Sequence, residues 1–224
     1  KKYKLKLICD SAQSILSKYN GKFLGTFGDM GGFSLNYHKH INTGEGGVIV
    51  TNNSRYAKKL YAIRNHAEAI IGSNSKKKDL INMVGYNFRM GEIEATIGIQ
   101  QLKKLKKRVK IKQDIAKKLN KGLKHLKGLK LPEVRRGSTH SYYIYPMILD
   151  PKVLGTNREK IYKALKNEGV QGLTDKYVLL HLYPMYQKKI AFGSNKFPWS
   201  ISKRNINYKK GICPVAEKLQ NETF

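Results

Sequence analysis

Four polar side chains near the start of the sequence have the types that amine chemistry on a bound aldehyde requires: Asp10, Gln13, Ser34 and Lys39. A lysine in a partly dry pocket loses proton affinity and becomes an amine nucleophile that can form a Schiff base with an aldehyde. An aspartate beside a pyridine nitrogen keeps that ring protonated, so the ring withdraws electrons. A small hydroxyl on a turn, such as that of Ser34, can donate to a phosphate. These are the requirements of a pyridoxal phosphate site.

The stretch around Lys39 also has a simpler interpretation. Residues 32–50 run from a short apolar segment through polar residues and a glycine cluster to a second apolar segment. A surface turn between two strands of a lysine-rich chain would show the same pattern, and short motifs match by chance. Asp10 has a simpler role open to it too, because aspartate commonly caps the N-terminus of a helix. The surrounding elements must decide between these interpretations.

Those elements predict an α/β frame. Residues 5–9 form an apolar run that predicts a strand ending at Asp10, and a short helix is predicted over residues 11–16. Ligands of open α/β sheets bind at the carboxyl ends of strands, so Asp10 is well placed to touch one. The β-branched residues 48–51 predict another strand, and a helix is predicted over about residues 54–65.

A long helix separates two predicted domains. Apolar residues recur along residues 93–119 without a sustained heptad seam, which favours a linking helix with one buried face over a coiled coil. We expect residues 1–122 to form the C-terminal part of a large cofactor-binding domain with this helix. Residues 123–224 are expected to form a small α+β domain, with a strand over residues 142–149 and a helix over residues 158–169.

The charge balance is strongly basic. The formal net charge is +29, from 44 lysines and arginines against 15 aspartates and glutamates. A field of one sign attracts polyanions, which makes a basic nucleic-acid-binding module one candidate function. Only eight of the basic residues are arginine, the usual choice for base edges and bidentate phosphate contacts. Dispersed lysine is typical of a solvated surface, so we expect no nucleic-acid partner; an anionic small substrate fits the charge equally well.

The two cysteines, Cys9 and Cys213, lie far apart and form no CxxC pair or Cys/His ligand spacing. This argues against a structural zinc site and a disulfide scaffold, and it suits a reducing compartment. No apolar run approaches the roughly 18 residues of a membrane span, and no signal peptide is visible. We therefore expect a cytoplasmic protein with no metal and no membrane partner.

The sequence starts at Lys1 without methionine, and we expect the N-terminal part of a longer protein to be missing.

The order and spacing of seven motifs resemble the signature of a known family. They are Asp10-Ser11-Ala12-Gln13, Gly28-Asp29, Phe33-Ser34, Lys39-His40, Gly44-Glu45-Gly46-Gly47, Gly85-Tyr86-Asn87-Phe88-Arg89-Met90 and Glu92-Ile93-Glu94-Ala95. Together they resemble the DegT/DnrJ/StrS nucleotide-sugar aminotransferases over essentially the whole chain. The resemblance implies the α/β fold of type I pyridoxal phosphate-dependent transferases, the aspartate aminotransferase type. The chain would hold part of the large domain, with a mostly parallel sheet, and the small C-terminal domain.

This resemblance implies a role for each matched residue. Lys39 would be the Schiff-base lysine and would carry the proton between the substrate carbon and C4′ of the cofactor, pyridoxal 5′-phosphate. Asp10 would pair with the pyridine nitrogen, Gln13 would contact the 3-oxygen side of the ring, and Ser34 would bind the phosphate. Asn87 would reach the phosphate of the neighbouring subunit's cofactor, because sites in this family lie at a homodimer interface.

The implied reaction moves an amino group from an amino acid, with L-glutamate the expected donor, to a nucleotide-linked keto sugar. Such reactions serve cell-surface polysaccharide or amino-sugar biosynthesis. Four further residues are candidates for substrate contacts: His40, Arg89, His181 and Tyr186. Cys9 departs from the family's pattern, which commonly has an acidic residue there.

Besides the basic nucleic-acid-binding module, two rival functions stand beside amino transfer. A sugar 3-dehydratase of the same fold has histidine in place of the catalytic lysine and holds the cofactor non-covalently. Lys39 favours transamination, although His40 is its neighbour, so a shift of one residue would reverse the conclusion. The other is a catalytically inert basic homologue that keeps the fold only. The phosphate-binding turn and the ring-stacking aromatic belong to the family's N-terminal half and are not in this chain.

Overall fold

The computed structural model describes residues 3–67, 83–174 and 177–223. They fall into two compact units, the first made of Lys1–Lys118 and Glu133–Ile144 and the second of Leu119–Pro132 and Tyr145–Phe224. The domain division expected after residue 122 remains a prediction. The compact units differ from it chiefly at residues 133–144, which group with the first unit.

Five strands belong to the first unit: β1 (Ile8–Asp10), β2 (Lys18–Tyr19), β3 (Lys22–Phe23), β4 (Met30–Ser34) and β5 (Gly47–Val50). β1, β4 and β5 form one sheet in that order, and β2 pairs with β3 in an antiparallel hairpin. β1 and β4 are parallel, because the chain between them, including the hairpin, makes the crossover that a parallel pair needs. The loop after β4 returns directly, so β5 is antiparallel to it. The sheet is therefore mixed and differs at β5 from the mostly parallel sheet expected.

The segment after β1 forms successive turns, and the helix predicted over residues 11–16 is wrong. The Ser14 N–H donates to the Ser11 carbonyl at 3.1 Å, and the Ser17 N–H donates to the Ser14 carbonyl at 3.0 Å. Leu16 has a φ of 61°, a left-handed conformation that an α-helix does not contain. Serine-rich turns therefore hold the chain that follows Asp10.

Two helices begin in the first unit. α1 (Ser54–Arg64) starts where Asn53 Oδ1 accepts a hydrogen bond from the Tyr56 N–H at 3.1 Å, and this helix confirms the prediction. α2 (Glu92–Leu123) contains the predicted linking helix and extends beyond it at both ends. α2 carries Glu92 and Glu94 in its first turn, where negative charge is favourable.

The main buried apolar cluster joins α2 to the loop between β4 and β5. Leu105 and Val109 of the helix pack with Leu35 and Ile41 of that loop, and all four side chains are buried. Lys39 lies in the same loop, two residues before Ile41. Burial of this cluster therefore fixes the loop that carries Lys39 on the surface of α2.

The second unit is built from short elements: β6 (Leu129–Lys130), β7 (Ile148–Leu149), α3 (Pro151–Leu154), α4 (Arg158–Asn167), α5 (Pro184–Lys188) and α6 (Pro214–Glu222). β6 and β7 are antiparallel, and β7 is all that forms of the strand predicted over residues 142–149. α4 confirms the predicted helix, whereas α6 was not predicted. Arg158 is 2% exposed and donates from Nε to the Thr223 carbonyl at 2.7 Å. This hydrogen bond ties α4 to the residue that follows α6.

Within the described residues, no helix combines the length and the apolar character needed to cross a membrane. α2 is long enough, but lysines recur along it from Lys103 to Lys121.

Candidate functional site

A cavity of about 910 Å³ opens beside the sheet of the first unit. Its walls come from the ends of β1 and β4, from β5, from one face of α1 and from the segment before α2. Asp10 and Ser34 are among its polar lining residues. Much of the remaining wall is apolar and includes Phe33, Ile49, Leu60, Tyr61, Phe88 and Met90. A largely apolar cavity with a few polar groups is the usual form of a small-molecule site.

Asp10 and Ser34 share this cavity because β1 and β4 are parallel neighbours and end at the same edge of the sheet. Asp10 lies opposite Gly32, where an added Cβ would meet nothing within 4 Å, so the space there is open. Asp10 Oδ1 accepts from the Ala12 N–H at 3.1 Å, and Ser34 Oγ accepts from the Asn36 N–H at 3.2 Å. Each side chain is thus oriented by a backbone group two residues further along.

Lys39 ends the turn that follows β4. Its N–H donates to the Asn36 carbonyl at 2.9 Å, and its half-buried side chain places Nζ 4.4 Å from the centre of the Tyr143 ring. An ammonium over an aromatic face is held by the ring's electrostatic field. Lys39 is not among the residues that line the cavity. The structure therefore brings Asp10 and Ser34 together and places the lysine amine on Tyr143.

Gln13, Asn87 and Arg89 also lie outside the cavity lining. The Gln13 residue is exposed, and its backbone carbonyl accepts from Ser141 Oγ at 3.4 Å. Asn87 is exposed and forms a β-bridge with Asn65, whose Oδ1 accepts from Arg89 Nη1 at 2.6 Å.

Side chains alternate along the segment before α2. Phe88 and Met90 line the cavity, whereas Asn87 and Arg89 do not. Successive side chains of an extended chain point to opposite sides. Asn87 and Arg89 are therefore presented away from the cavity of their own chain.

His40 is buried, with 4% of its surface exposed, and its ring faces protein atoms. Nε2 lies 2.8 Å from the Ser141 carbonyl, and because a carbonyl only accepts, Nε2 must carry the proton. Burial lowers the pKa of His40; the Ser141 carbonyl opposes this, and the positive charges of Lys112, His140 and Lys39 lower it further. His40 is thus a neutral imidazole outside the cavity lining, and a substrate contact for it stays an untested prediction.

The two candidate residues of the second unit have partners within that unit. His181 Nε2 lies 2.9 Å from Glu217 Oε1. Burial opposes the charge on Glu217, but the Gly211 N–H, His181 and the Cys213 N–H outweigh it and hold the pKa of Glu217 below its usual value. The Tyr186 ring packs against the rings of Trp199 and Tyr208, with centres 6.0 and 5.3 Å away. Substrate contacts by His181 and Tyr186 stay predictions.

Sequence reasoning missed two groups of residues around the site. Phe88 and Met90 form part of the cavity wall, and their alternation with polar neighbours was a signal that could have identified them. Tyr143 and Ser141, which contact Lys39 and His40, are about a hundred positions away in sequence, so no local pattern points to them. In the part of the chain that the structure describes, no group of three or more His, Cys, Asp or Glu side chains is placed to hold a metal ion.

Comparison with known proteins gives a match over nearly the whole chain. The model of the DegT/DnrJ/EryC1/StrS aminotransferase family matches residues 1–223. The GDP-perosamine synthase of Vibrio cholerae is 33% identical over 214 residues, which cover 93% of this chain and 55% of that protein. The chain spans about half the length of the curated relatives that it matches.

Solved structures agree with this match. The aminotransferase TlmJ from Streptoalloteichus hindustanus is similar with a TM-score of 0.73 and 26% identity, covering 99% of this chain and 53% of that one. The E. coli GDP-4-keto-6-deoxy-D-mannose-3-dehydratase with bound hydrated pyridoxal phosphate has a TM-score of 0.65 and 30% identity. The match covers 75% of this chain and 45% of that one. The structural neighbours share the fold type I of pyridoxal phosphate-dependent enzymes, so the predicted α/β fold class is confirmed, with part of that fold present here.

Proposed function

The chain belongs to the DegT/DnrJ/EryC1/StrS aminotransferase family, and on this premise we propose that the complete protein is a pyridoxal phosphate-dependent aminotransferase of nucleotide-linked keto sugars. The observation that carries the proposal is the cavity that Asp10 and Ser34 share at adjoining strand ends. The similar GDP-perosamine synthase supports a nucleotide sugar as the substrate class. We propose a role in the biosynthesis of polysaccharides or amino sugars.

The donor set of the cavity fits the cofactor. Asp10 supplies a carboxylate for a pyridine nitrogen, beside the open space that Gly32 leaves. Ser34 supplies a hydroxyl for a phosphate, and Gln13 follows in the turns after β1 as the proposed contact on the 3-oxygen side of the ring. When bound, pyridoxal phosphate supplies an aldehyde and a ring that withdraws electrons from the substrate carbon.

Lys39 is the proposed covalent anchor and proton carrier. Nζ lies on the Tyr143 ring, and its four-carbon stem is flexible, so we propose that Nζ leaves the ring and extends to the cavity edge when the cofactor binds. Nζ would accept the proton from the substrate carbon and return it at C4′ of the cofactor. The apolar wall of the cavity would exclude water from this transfer.

The proposal includes a second copy of the chain and an amino-acid donor, L-glutamate. Asn87 and Arg89 face away from the cavity of their own chain, which supports a role for Asn87 at the phosphate site of a homodimeric partner. Arg89 is proposed to contact an anionic substrate. Substrate contacts by His181 and by Tyr186 are separate parts of the proposal. Cytoplasmic localisation remains part of the same proposal.

The test uses the complete protein and free pyridoxal phosphate. We expect a visible absorption band, and after borohydride reduction a pyridoxyl group on Lys39 by peptide mass spectrometry. Lys39→Ala should abolish both signals, whereas Lys58→Ala, an exposed lysine of α1, should leave them unchanged. Glutamate with a nucleotide-linked keto sugar should then give 2-oxoglutarate and an amino sugar. A band that survives Lys39→Ala would overturn the proposal.

A sugar 3-dehydratase is the second candidate, because the chain resembles the E. coli dehydratase structure at 30% identity. In such an enzyme a histidine takes the place of the lysine. His40 is buried and its Nε2 is bonded to Ser141, which supports Lys39 rather than His40 as the reacting group. Product analysis separates the two candidates, since the dehydratase removes a hydroxyl and leaves no amino group on the sugar.

A further inference from the structure

We infer that His40 is a positioning residue, whose buried imidazole ties the turn that carries Lys39 to the segment that follows Asp10. The inference rests on the proposed function, because it concerns where the Lys39 amine is held relative to the cofactor-binding strand end. His40 itself is not among the residues that line the cavity. It acts through the hydrogen bonds of Ser141 and Ser17.

The hydrogen bonds on the ring side of His40 are continuous. Nε2–H donates to the Ser141 carbonyl at 2.8 Å, and the Ser141 N–H donates to Ser17 Oγ at 3.1 Å. Ser17 Oγ donates to Ser141 Oγ at 3.1 Å, which in turn donates to the backbone carbonyl of Gln13 at 3.4 Å. Ser17, His40 and Ser141 are all buried. Three segments, around residues 13–17, 40 and 141, are thus joined without intervening solvent.

The backbone of His40 is held from the other side. Arg108 of α2 donates from Nη1 to the His40 carbonyl at 3.1 Å and to Gln101 Oε1 at 2.6 Å. Ile41, the next residue, belongs to the buried apolar cluster. Both the ring and the carbonyl of His40 are therefore fixed, while its neighbour Lys39 carries a flexible side chain. This arrangement sets the point from which the Lys39 side chain reaches the cavity.

Burial of the polar imidazole ring of His40 is energetically unfavourable, and packing alone does not explain why a histidine occupies this position. His40 Nδ1 is buried and has no hydrogen-bond partner among the described residues. Lys112, His140 and Lys39 also place positive charge near the ring, which disfavours its protonation. An apolar side chain would fill the space without an unsatisfied nitrogen. The Nε2–H bond to Ser141 is the feature that an apolar side chain would lose.

The test compares two substitutions of His40 with a matched control. His40→Leu removes the donor, and His40→Gln keeps an N–H near the position of Nε2. His38→Leu is the control, since His38 is an exposed histidine of the same turn. Two readouts are taken below the melting temperature of every variant: the rate at which pyridoxal phosphate attaches to Lys39, trapped by reduction, and hydrogen exchange of the Lys39 amide without cofactor.

We expect His40→Leu to slow attachment by about tenfold or more, since a small displacement of a reacting group has large effects on rate. The Lys39 amide, which donates to Asn36, should exchange faster in the same variant. His40→Gln should recover both readouts to within about threefold of the wild type, and His38→Leu should match the wild type. Recovery by the amide variant would separate positioning from simple packing.

The outcomes distinguish this inference from the proposed function. If the wild type attaches no pyridoxal phosphate, the proposed function fails, and amide exchange still tests whether His40 holds the turn. If the wild type reacts and His40→Leu reacts equally fast, the inference is wrong. Equal defects in the leucine and glutamine variants would also overturn it. Should His40→Leu not fold, Ser17→Ala tests the same hydrogen-bond chain at its other end. Unchanged hydrogen exchange of the Lys39 amide in this variant would contradict the inference.

Discussion

The cavity edge and the buried network beside the Lys39 turn are built in opposite ways. Asp10 and Ser34 are each oriented by one hydrogen bond from a backbone group two residues away, next to open space. His40, Ser17 and Ser141 are enclosed and join segments that are 101 to 128 positions apart in sequence. The residues with a proposed chemical role lie where a ligand can reach them. The residues that hold neighbouring segments in place are enclosed by protein.

The largest effect is expected at the cavity edge. Asp10→Asn should lower kcat/KM for amino transfer by about 10²–10³, because a charge that stabilises the reacting ring is lost. The melting temperature should stay nearly unchanged, since the Asn oxygen can still accept from the Ala12 N–H. Steady-state kinetics and thermal unfolding measure the two quantities on the same preparation.

The matched control is Asp114→Asn, which removes an exposed carboxylate of α2 that pairs with Lys110 at 2.8 Å. Exposed ion pairs contribute little to stability, so neither kcat/KM nor the melting temperature should change measurably. If Asp10→Asn lowers the melting temperature markedly as well as kcat/KM, the proposed contrast between the cavity edge and the buried network is wrong.

The reverse pattern is expected in the buried network. Ser17→Ala should lower the free energy of unfolding by about 1–3 kcal/mol, because the buried Ser141 N–H loses its acceptor. Activity per folded molecule should fall only a few-fold. Chemical denaturation measures the first quantity, and Ser54→Ala, an exposed serine at the start of α1, is the control. A large loss of activity without loss of stability would contradict a purely structural role for Ser17.

The same contrast explains which parts of the site the sequence predicts. Asp10 and Ser34 are the last residues of β1 and β4, and polar residues at the ends of apolar runs were enough to identify both as candidates, whereas the strand pairing that brings them to one edge was not predicted. The turns after β1 were missed because a left-handed Leu16, which propensity favours in a helix, interrupts the segment. Most of the strand predicted over residues 142–149 does not form, for a similar reason. Its aromatic run includes Tyr142, which has a φ of 51°.

Long-range partners leave no local pattern. Nothing in the sequence pairs His40 with Ser141 or Lys39 with Tyr143, because these contacts depend on how residues 133–144 pack in the first unit. The orientation of Lys39 toward Tyr143 follows from that packing. Sequence motifs therefore identified the candidate cofactor groups but not the residues that hold them.

The smallest expected effect is a dependence of stability on pH in the buried network. The pKa of His40 is lowered by burial and by the positive charges of Lys112, His140 and Lys39, against the Ser141 carbonyl. The pKa of His140 is lowered by burial as well. The unfolded chain binds protons with the ordinary histidine pKa of about 6.5. Between the folded pKa and about 6.5 the unfolded state binds more protons, so the free energy of unfolding rises with pH.

Lowering the pH from above that window to below it should therefore reduce the melting temperature, by a few degrees for a chain of this size. Carboxylates also titrate at acid pH, so the informative quantity is the difference between the wild type and His40→Gln. The glutamine variant cannot take up the proton, and its melting temperature should fall less over the same range. His38→Gln, at an exposed position of the same turn, should fall as much as the wild type. Parallel curves for wild type and His40→Gln would mean that folding does not lower the pKa of His40, and the contrast between the buried network and the cavity edge would not hold.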